Sequence, residues 1–128
     1  MALKHILKLT DTEAVLKCYM VDANGGTVDI SLQNDLTANG QTWSNTNVEA
    51  TIADLYWGMK HGKQLDVTRL ITPANNEIHG HYYLVNAGQH NFNGFVDDVY
   101  GSKDIRLIFD GPGHCIIRIR KTSGWTRP

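Results

Sequence analysis

The clearest feature of the chain is an alternation of apolar and polar positions in four short segments. This period-2 pattern is typical of a β-strand that has one face in a core and one face in water. The apolar positions are Ala14, Leu16, Cys18 and Met20, then Val28, Ile30 and Leu32, then Ile105, Leu107 and Phe109, and finally Cys115, Ile117 and Ile119. The pattern predicts strands over 13–20, Thr27–Gln33, 105–109 and 115–120.

Turn-forming residues separate these segments in pairs. Asp22–Gly26 lies between the first two strands, and Asp110–Gly113 lies between the last two. Asn, Asp and Gly tolerate the positive φ that tight turns require, so a chain reversal is expected at both places. We therefore predict two β-hairpins, one across each turn.

The middle of the chain has two interpretations. Residues at near-helical spacing are Val48, Ile52, Leu55, Tyr56 and Met59. Asn47 could cap a helix there. The alternative is a strand over Ala50–Met59 that turns at Lys60–Lys63 and returns through Leu65–Ile71 as a third hairpin. We favour the strand, because the returning segment contains strand formers and the turn spacing suits a hairpin.

The segment from residue 81 to residue 98 is less regular. His81–Val85 is predicted to be a further strand, and Asn86–Asp98 reads as a polar loop. We expect three apolar residues of this loop, Phe92, Phe95 and Val96, to be tucked beneath it.

The number of segments and the composition together predict the fold class. About eight short strands separated by frequent turns indicate an all-β fold, an antiparallel β-sandwich or jelly-roll-like barrel. A length of 128 residues is one domain, spanning 1–128, and the 41% hydrophobic and 20% charged fractions argue against disorder. The formal net charge of -1 argues against nucleic acid as a partner.

Membrane insertion and secretion are not expected from this sequence. No apolar run approaches the length of a membrane-spanning helix. Charged residues interrupt the apolar start of the chain at Lys4 and Lys8, so we interpret Met1–Leu9 as mature protein rather than a signal peptide. Synthesis in the cytoplasm is therefore expected.

Two cysteines occur, and both lie in apolar, strand-like surroundings. Cys18 and Cys115 are expected to be buried thiols that pack as small hydrophobic residues. The alternative is one disulfide that joins the two ends of the chain. The sequence leaves open whether they pair.

His79-Gly80-His81 is the arrangement that comes nearest to a metal site. Residues i and i+2 of a strand project from the same face, so two imidazoles could bind one metal ion. A third ligand would have to come from His61, His90 or His114. Cupins follow His-x-His with a glutamate, which this chain lacks. We therefore expect histidines without a metal.

Other catalytic arrangements are missing from the sequence. No serine lies in a Gly-x-Ser-x-Gly turn, and there is no glycine-rich phosphate loop. The acidic residues Asp97, Asp98 and Asp104 are interpreted as a solvated loop, with an acid/base pair or an ion site as the alternative. The sequence thus predicts a non-enzymatic protein with no catalytic, cofactor-binding or metal-binding residues.

Two groups of residues could bind partners. The only basic stripe consists of Arg118, Arg120, Lys121 and Arg127. We interpret it as the solvent-facing side of an edge strand, with docking of an acidic partner as the alternative. The aromatic residues are Trp43, Trp57 and Trp125, with Tyr56, Tyr82, Tyr83 and Tyr100. They are expected in the core and at interfaces, although they could also form a platform on which sugars stack.

Several stretches taken in order resemble a known kind of protein. They are Tyr56–Met59, His61–Gly62 and Leu65–Arg69, then Asp104–Phe109, Gly111–Gly113 and Ile117–Trp125. Together with the turn at Asp22–Gly26, they resemble the small all-β structural proteins of tailed-bacteriophage virions, of the capsid decoration or cement type. The likeness covers most of the chain and lies in pattern and order.

The resemblance implies a β-sandwich or β-barrel that clamps neighbouring capsid subunits without catalysing a reaction. It implies a homo-oligomer, with a trimer favoured, whose partners are the major capsid protein or other virion proteins. It also implies a location in the virion after synthesis in the bacterial host cytoplasm, without cofactor, nucleic acid or membrane. The alternative is a carbohydrate-binding or host-recognition module on a phage tail. A metal-dependent enzyme built on His79 and His81 is a third hypothesis.

Overall fold

The computed structural model describes residues 2–44, 46–72, 77–92 and 101–127, with the backbone alone at residues 2, 3, 72 and 77–81. This part of the chain forms eleven strands and one short helix. They are β1 (Ala2–Leu9), β2 (Glu13–Met20), β3 (Gly26–Ile30), α1 (Leu32–Leu36), β4 (Thr42–Trp43), β5 (Glu49–Met59), β6 (Gln64–Thr72), β7 (Glu77–Val85), β8 (Ala87–Asn91), β9 (Ile105–Phe109), β10 (Gly113–Ser123) and β11 (Trp125–Thr126). The predicted all-β fold is confirmed.

The longer strands form two antiparallel sheets that share one core. Sheet A has the order β1-β2-β10-β5-β8 and sheet B has the order β3-β9-β6-β7, while β4 and β11 pair separately. Links of one to five residues join β2 to β3, β5 to β6, β7 to β8 and β9 to β10, so each link carries the chain from one sheet to the other. Without β1, the eight strands of sheets A and B have the order of a jelly roll. The prediction of a sandwich or jelly-roll-like barrel is therefore confirmed.

The three predicted hairpins are wrong, although each turn lies where it was expected. The strands on either side of Asp22–Gly26 belong to different sheets, and the same holds for Lys60–Lys63 and Asp110–Gly113. The physical reason is that a short turn can place the second strand beside the first, about 4.8 Å away, or opposite it, about 10 Å away. The alternation of apolar residues is the same in both cases.

The middle of the chain is a strand, as favoured, and not a helix. β5 covers Ala50–Met59 and is bonded to β10 and β8. The loop predicted over Asn86–Asp98 is wrong at its start, because 87–91 form β8. Phe92 packs against the core as expected. Phe95 and Val96 lie outside the described residues.

The strand predicted over Thr27–Gln33 ends early, because a helical turn begins at its last residues. The Ser31 hydroxyl accepts a hydrogen bond from the backbone N–H of Asn34 at 3.0 Å, which caps α1. Leu32 and Leu36 are one helical turn apart and both are buried. No helix in the described part of the chain is long and apolar enough to cross a membrane.

β1 forms one edge of sheet A and contains an irregularity. Its pairing with β2 shifts between Ile6 and Lys8, and the exposed Leu7 lies at the shift. The Lys4 ammonium group donates to the backbone carbonyl of Asp29 and to the Asp35 carboxylate. The N-terminal strand therefore pairs within sheet A of the same chain, and Lys4 connects it to sheet B.

Candidate binding surfaces

The solvent-facing side of sheet A is the broadest candidate surface. Because the even-numbered residues of β2 face the core, its odd-numbered residues face outward with their partners on neighbouring strands. The strand register aligns five outward residues in one row, His5, Lys17, Ile116, Tyr56 and Gln89. The next row contains Tyr19 and His114. We call these seven residues the aromatic face.

Contacts within the sheet hold the rings of the aromatic face in place. His5 and Tyr19 are stacked with ring centroids 5.7 Å apart. The Gln89 side-chain amide donates to the Tyr56 hydroxyl at 3.2 Å. His114 leans over Gly58, where an added Cβ would lie only 2.6 Å from the imidazole Cε1. On the β1–β2–β10 side of the aromatic face there is a shallow depression of about 430 Å³, lined by His5, Lys17, Tyr19, His114 and Ile116.

A network of charged side chains lies next to the aromatic face on the same sheet. Arg118 donates to the carboxylates of Glu13 and Asp54, and Lys8 pairs with Glu13. Asn91 donates to Asp54, so the network joins all five strands of sheet A. Hydrogen bonds from Lys8 and Arg118 lower the pKa of Glu13 below its ordinary value. These charges are therefore largely neutralised by one another.

The predicted edge-strand position of the basic stripe is wrong. β10 lies between β2 and β5 in the middle of sheet A. Lys121 is buried and donates to the backbone carbonyl of Thr10, and Arg127 pairs with Asp11. Arg118 and Arg120 do lie on the outer face, but with Arg118 neutralised the four residues do not form one basic surface.

We expect Glu13→Gln to weaken the pH dependence of stability on the acid side. The pKa of Glu13 is lower in the folded protein than its ordinary value of 4.5. The Glu13 carboxylate therefore contributes to the free energy of unfolding above pH 4.5, and this contribution is lost as the pH falls through the pKa of the folded state. The stability difference between wild type and variant should therefore be largest near neutral pH and shrink below pH 4.5. Urea unfolding at a series of pH values measures this difference in the free energy of unfolding. Salt at about 1 M should make the difference smaller. A difference that stays constant with pH would contradict this expectation.

A second candidate site is an aromatic cleft at the edge where β7 and β8 face each other. It has a volume of about 370 Å³ and is lined by Leu55, Trp57, Tyr82, Tyr83, Leu84 and His90. The Trp57 indole N–H donates to the backbone carbonyl of Val85 at 3.0 Å. The indole lies against Gly88, where an added Cβ would be 2.7 Å from Cζ2. Glycine at this position therefore leaves the room that the indole occupies.

A phenylalanine links the rings at the base of this cleft. Phe92 makes edge-to-face contacts with Tyr82, at 5.3 Å between centroids, and with His90, at 4.5 Å. Tyr83 at the rim is 64% exposed. The cleft thus has a fixed aromatic base and an exposed aromatic rim.

The structure does not bring the three tryptophans together as one platform. Trp43 and Trp125 lie opposite each other on β4 and β11, and Lys121 lies 5.3 Å from the centroid of Trp125. Trp57 is in the aromatic cleft. All three are partly buried and pack against the core, which agrees with the expectation that they contribute to it.

The histidines considered as metal ligands are spread over the fold. The side chains of His79 and His81 lie outside the described residues, and the β6–β7 pairing skips His81. His90 lies on the inner side of sheet A and His114 on its outer side, while His61 is in the β5–β6 link. Among the side chains that the structure describes, no three His, Cys, Asp or Glu residues form a metal-binding group. Asp104 accepts a hydrogen bond from the backbone N–H of Leu32, so it anchors α1.

The two cysteines are buried and free, which confirms the expectation of two buried thiols. Cys18 and Cys115 lie directly opposite each other on β2 and β10. Burial raises the pKa of Cys18 to about 12 and also raises that of Cys115. Since the thiolate is the reactive form, both thiols should be inert in the folded protein.

We therefore expect a thiol reagent such as an aromatic disulfide to leave the native protein unmodified. After unfolding in denaturant, both cysteines should react at once. The absorbance of the released aromatic thiolate counts the cysteines that have reacted, in the native and in the unfolded protein. Reaction of the folded protein, or absence of reaction after unfolding without a reductant, would contradict this result.

No family model, curated protein or solved structure matches the chain.

Proposed function

We propose that the protein is a non-enzymatic structural component of a bacteriophage virion that decorates or cements the capsid by binding capsid subunits, in particular the major capsid protein. The observation that carries the proposal is the aromatic face. It presents Tyr19, Tyr56, His5, His114 and Ile116 on a sheet around a single exposed lysine, Lys17, and the charges of the adjoining network are neutralised among themselves. Interface cores are enriched in aromatic residues and depleted of charged ones.

The size of the face indicates how such binding would work. Five strands at about 4.8 Å spacing, with two rows of outward residues about 6.8 Å apart, give an area of at most roughly 330 Å². A standard interface buries about 800 Å² on each partner, so one face binds weakly by itself. In an oligomer, several such weak contacts act together, because the first contact raises the effective concentration for the next. A protein that binds only the assembled shell stabilises the shell by mass action. The resemblance to decoration proteins supports this reading.

The test measures binding of the purified protein to mature phage shells that lack it. We expect Tyr56→Ala to weaken binding at least about tenfold, because Tyr56 is the most exposed large apolar side chain of the face and tyrosine is enriched among hot spots. Tyr83→Ala removes an equally large exposed side chain from sheet B and should bind like the wild type. Failure of the wild type to bind shells, or equal effects of both substitutions, would refute the proposal.

The alternative function, a carbohydrate-binding or host-recognition module on a phage tail, is favoured by the aromatic cleft. Its volume of about 370 Å³ is in the range of small-ligand sites, and rings line its wall and rim. The faces of such rings attract the C–H groups of a sugar. On a glycan array, Trp57→Ala and Tyr83→Ala should then lose binding, while Tyr56→Ala, Trp43→Ala and Trp125→Ala keep it. An array without any bound glycan would exclude this function.

A further inference from the structure

β8 is the last strand of sheet A in the described part of the chain. The N–H of Met59 donates to the carbonyl of Asn86 at 2.7 Å, and the N–H of Phe92 donates to the carbonyl of Ala53 at 3.2 Å. Residues of an antiparallel strand alternate between bonding to the neighbour and pointing away from it. The even-numbered residues of β8 therefore bond to β5. The backbone groups of Ala87 and Gln89 point toward the open edge of the sheet.

β8 lacks the features by which other edges of this sandwich avoid pairing. Its sequence, Ala-Gly-Gln-His-Asn, contains no Lys, Arg, Asp, Glu or Pro. β1 at the opposite edge carries Lys4 and Lys8 and has an irregular register. The edge strand β3 carries Asp29, whose backbone carbonyl is occupied by Lys4. Charges and irregularities protect edges against pairing, so β8 is the described edge of sheet A that is open to another strand.

We propose that two copies of this chain pair through β8, antiparallel and about a twofold axis, with Gln89 opposite Gln89. This register overlaps all five residues of the strand, whereas a shift by two residues leaves three. It also brings the outward backbone groups of Gln89 together, so that the two residues exchange both N–H···O bonds. The pairing joins the two five-stranded sheets into one sheet of ten strands.

The side chains of β8 are complementary to themselves in this register. Gly88 of each copy lies opposite His90 of the other, and both are on the inner side of the sheet. Gly88 has no side chain that would oppose the imidazole of the other copy. On the outer side Gln89 meets Gln89, and Ala87 meets Asn91. No like charges oppose each other, in contrast to β1, where the same symmetry about Ile6 would place Lys4 opposite Lys8.

The pairing goes beyond the proposed function and does not depend on it. It places two aromatic faces side by side on one continuous sheet, and it brings His90 of the second copy to the mouth of each aromatic cleft. It yields dimers, in place of the trimer that the resemblance implies. A pairing of five-residue strands is at the small end of protein interfaces, so association should depend on concentration.

The test is the molar mass of the full chain by sedimentation velocity from about 1 µM to about 1 mM. We expect a monomer–dimer equilibrium. Gln89→Pro removes the outward N–H without affecting the bonds to β5, so it should leave only monomer. Gln89→Ala is the matched control, since it loses the same contact to Tyr56 but keeps the N–H, and it should still dimerise. Wild-type protein that is monomeric throughout, or trimeric, would overturn the proposal.

Two further variants keep the test decisive if Gln89→Pro fails to fold. Gln89→Lys places two lysines opposite each other and should weaken the dimer at least about tenfold at low salt. Gln89→Cys should form a disulfide-linked dimer with oxidised glutathione, because paired strands bring the two Cα atoms within disulfide range. Ala87→Cys, which faces Asn91 and not itself, should not form this link. Equal cross-linking of both cysteine variants would refute the register.

Discussion

Gly25→Ala is expected to destabilise the protein by about 4 kcal/mol or more, one of the largest effects of any single methyl group in this fold. Gly25 has a φ of 76°, in the left-handed region that favours glycine. An added Cβ would lie 1.9 Å from the backbone carbonyl oxygen of Phe109 and 2.8 Å from the carbonyl carbon of Asp110. Since these are backbone atoms at the end of β9, the variant must separate β3 from β9 or rebuild the turn.

Gly62→Ala is the matched control for this substitution. Gly62 has a similar φ of 80° in another link between the two sheets, and an added Cβ there would meet no described atom within 4 Å. It should cost only the conformational strain, about 1 kcal/mol. Urea unfolding followed by tryptophan fluorescence measures both variants. If Gly25→Ala costs no more than Gly62→Ala, close packing of the β2–β3 link against β9 is refuted.

Arg69→Met is expected to cost about 2–6 kcal/mol, because it leaves two carbonyls without their buried donor, at about 1–3 kcal/mol each. Arg69 on β6 has no exposed surface. Its guanidinium group donates to the carbonyl of Ala50 in sheet A at 2.7 Å and to the carbonyl of Lys103 at 2.8 Å. Methionine has a similar length but no donor, so both carbonyls lose a charge-assisted hydrogen bond in the interior.

Arg106→Met is the control for the loss of an arginine. Arg106 lies on the neighbouring strand β9 and forms a two-bond pair with Asp29, whose side chain is 47% exposed. Solvent-exposed pairs contribute little, so this variant should cost less than about 1 kcal/mol. Equal unfolding free energies for the two variants would mean that Arg69 does not connect the sheets.

The sequence predicted local features of the candidate surfaces better than their assembly. It singled out Tyr56, Trp57 and His114, but gave no sign that Tyr56 and His114 share one face while Trp57 lies in a cleft on the other side. Neighbouring residues of one strand point to opposite faces, and the partners on each face come from distant parts of the chain. Glu13 and Arg118, for example, meet only because β2 and β10 are adjacent.

β8 shows most clearly why some strands could not be predicted from the sequence. Ala87–Asn91 has no apolar alternation, and all five residues are exposed. It is a strand because β5 offers it hydrogen-bond partners, which is a tertiary effect. Arg69 carries only a weak sequence signal of its burial, namely that it occupies the same phase of β6 as the buried Leu65 and Val67.

By itself, the sequence determined which residues of most strands face the core and where the chain reverses, because alternation and turn chemistry act between residues close together along the chain. The tertiary structure alone decided that the strands flanking Asp22–Gly26, Lys60–Lys63 and Asp110–Gly113 face each other across the core instead of pairing side by side. Both arrangements bury the same apolar residues. The choice between them depends on which distant strands supply the backbone hydrogen bonds, and no local pattern encodes that.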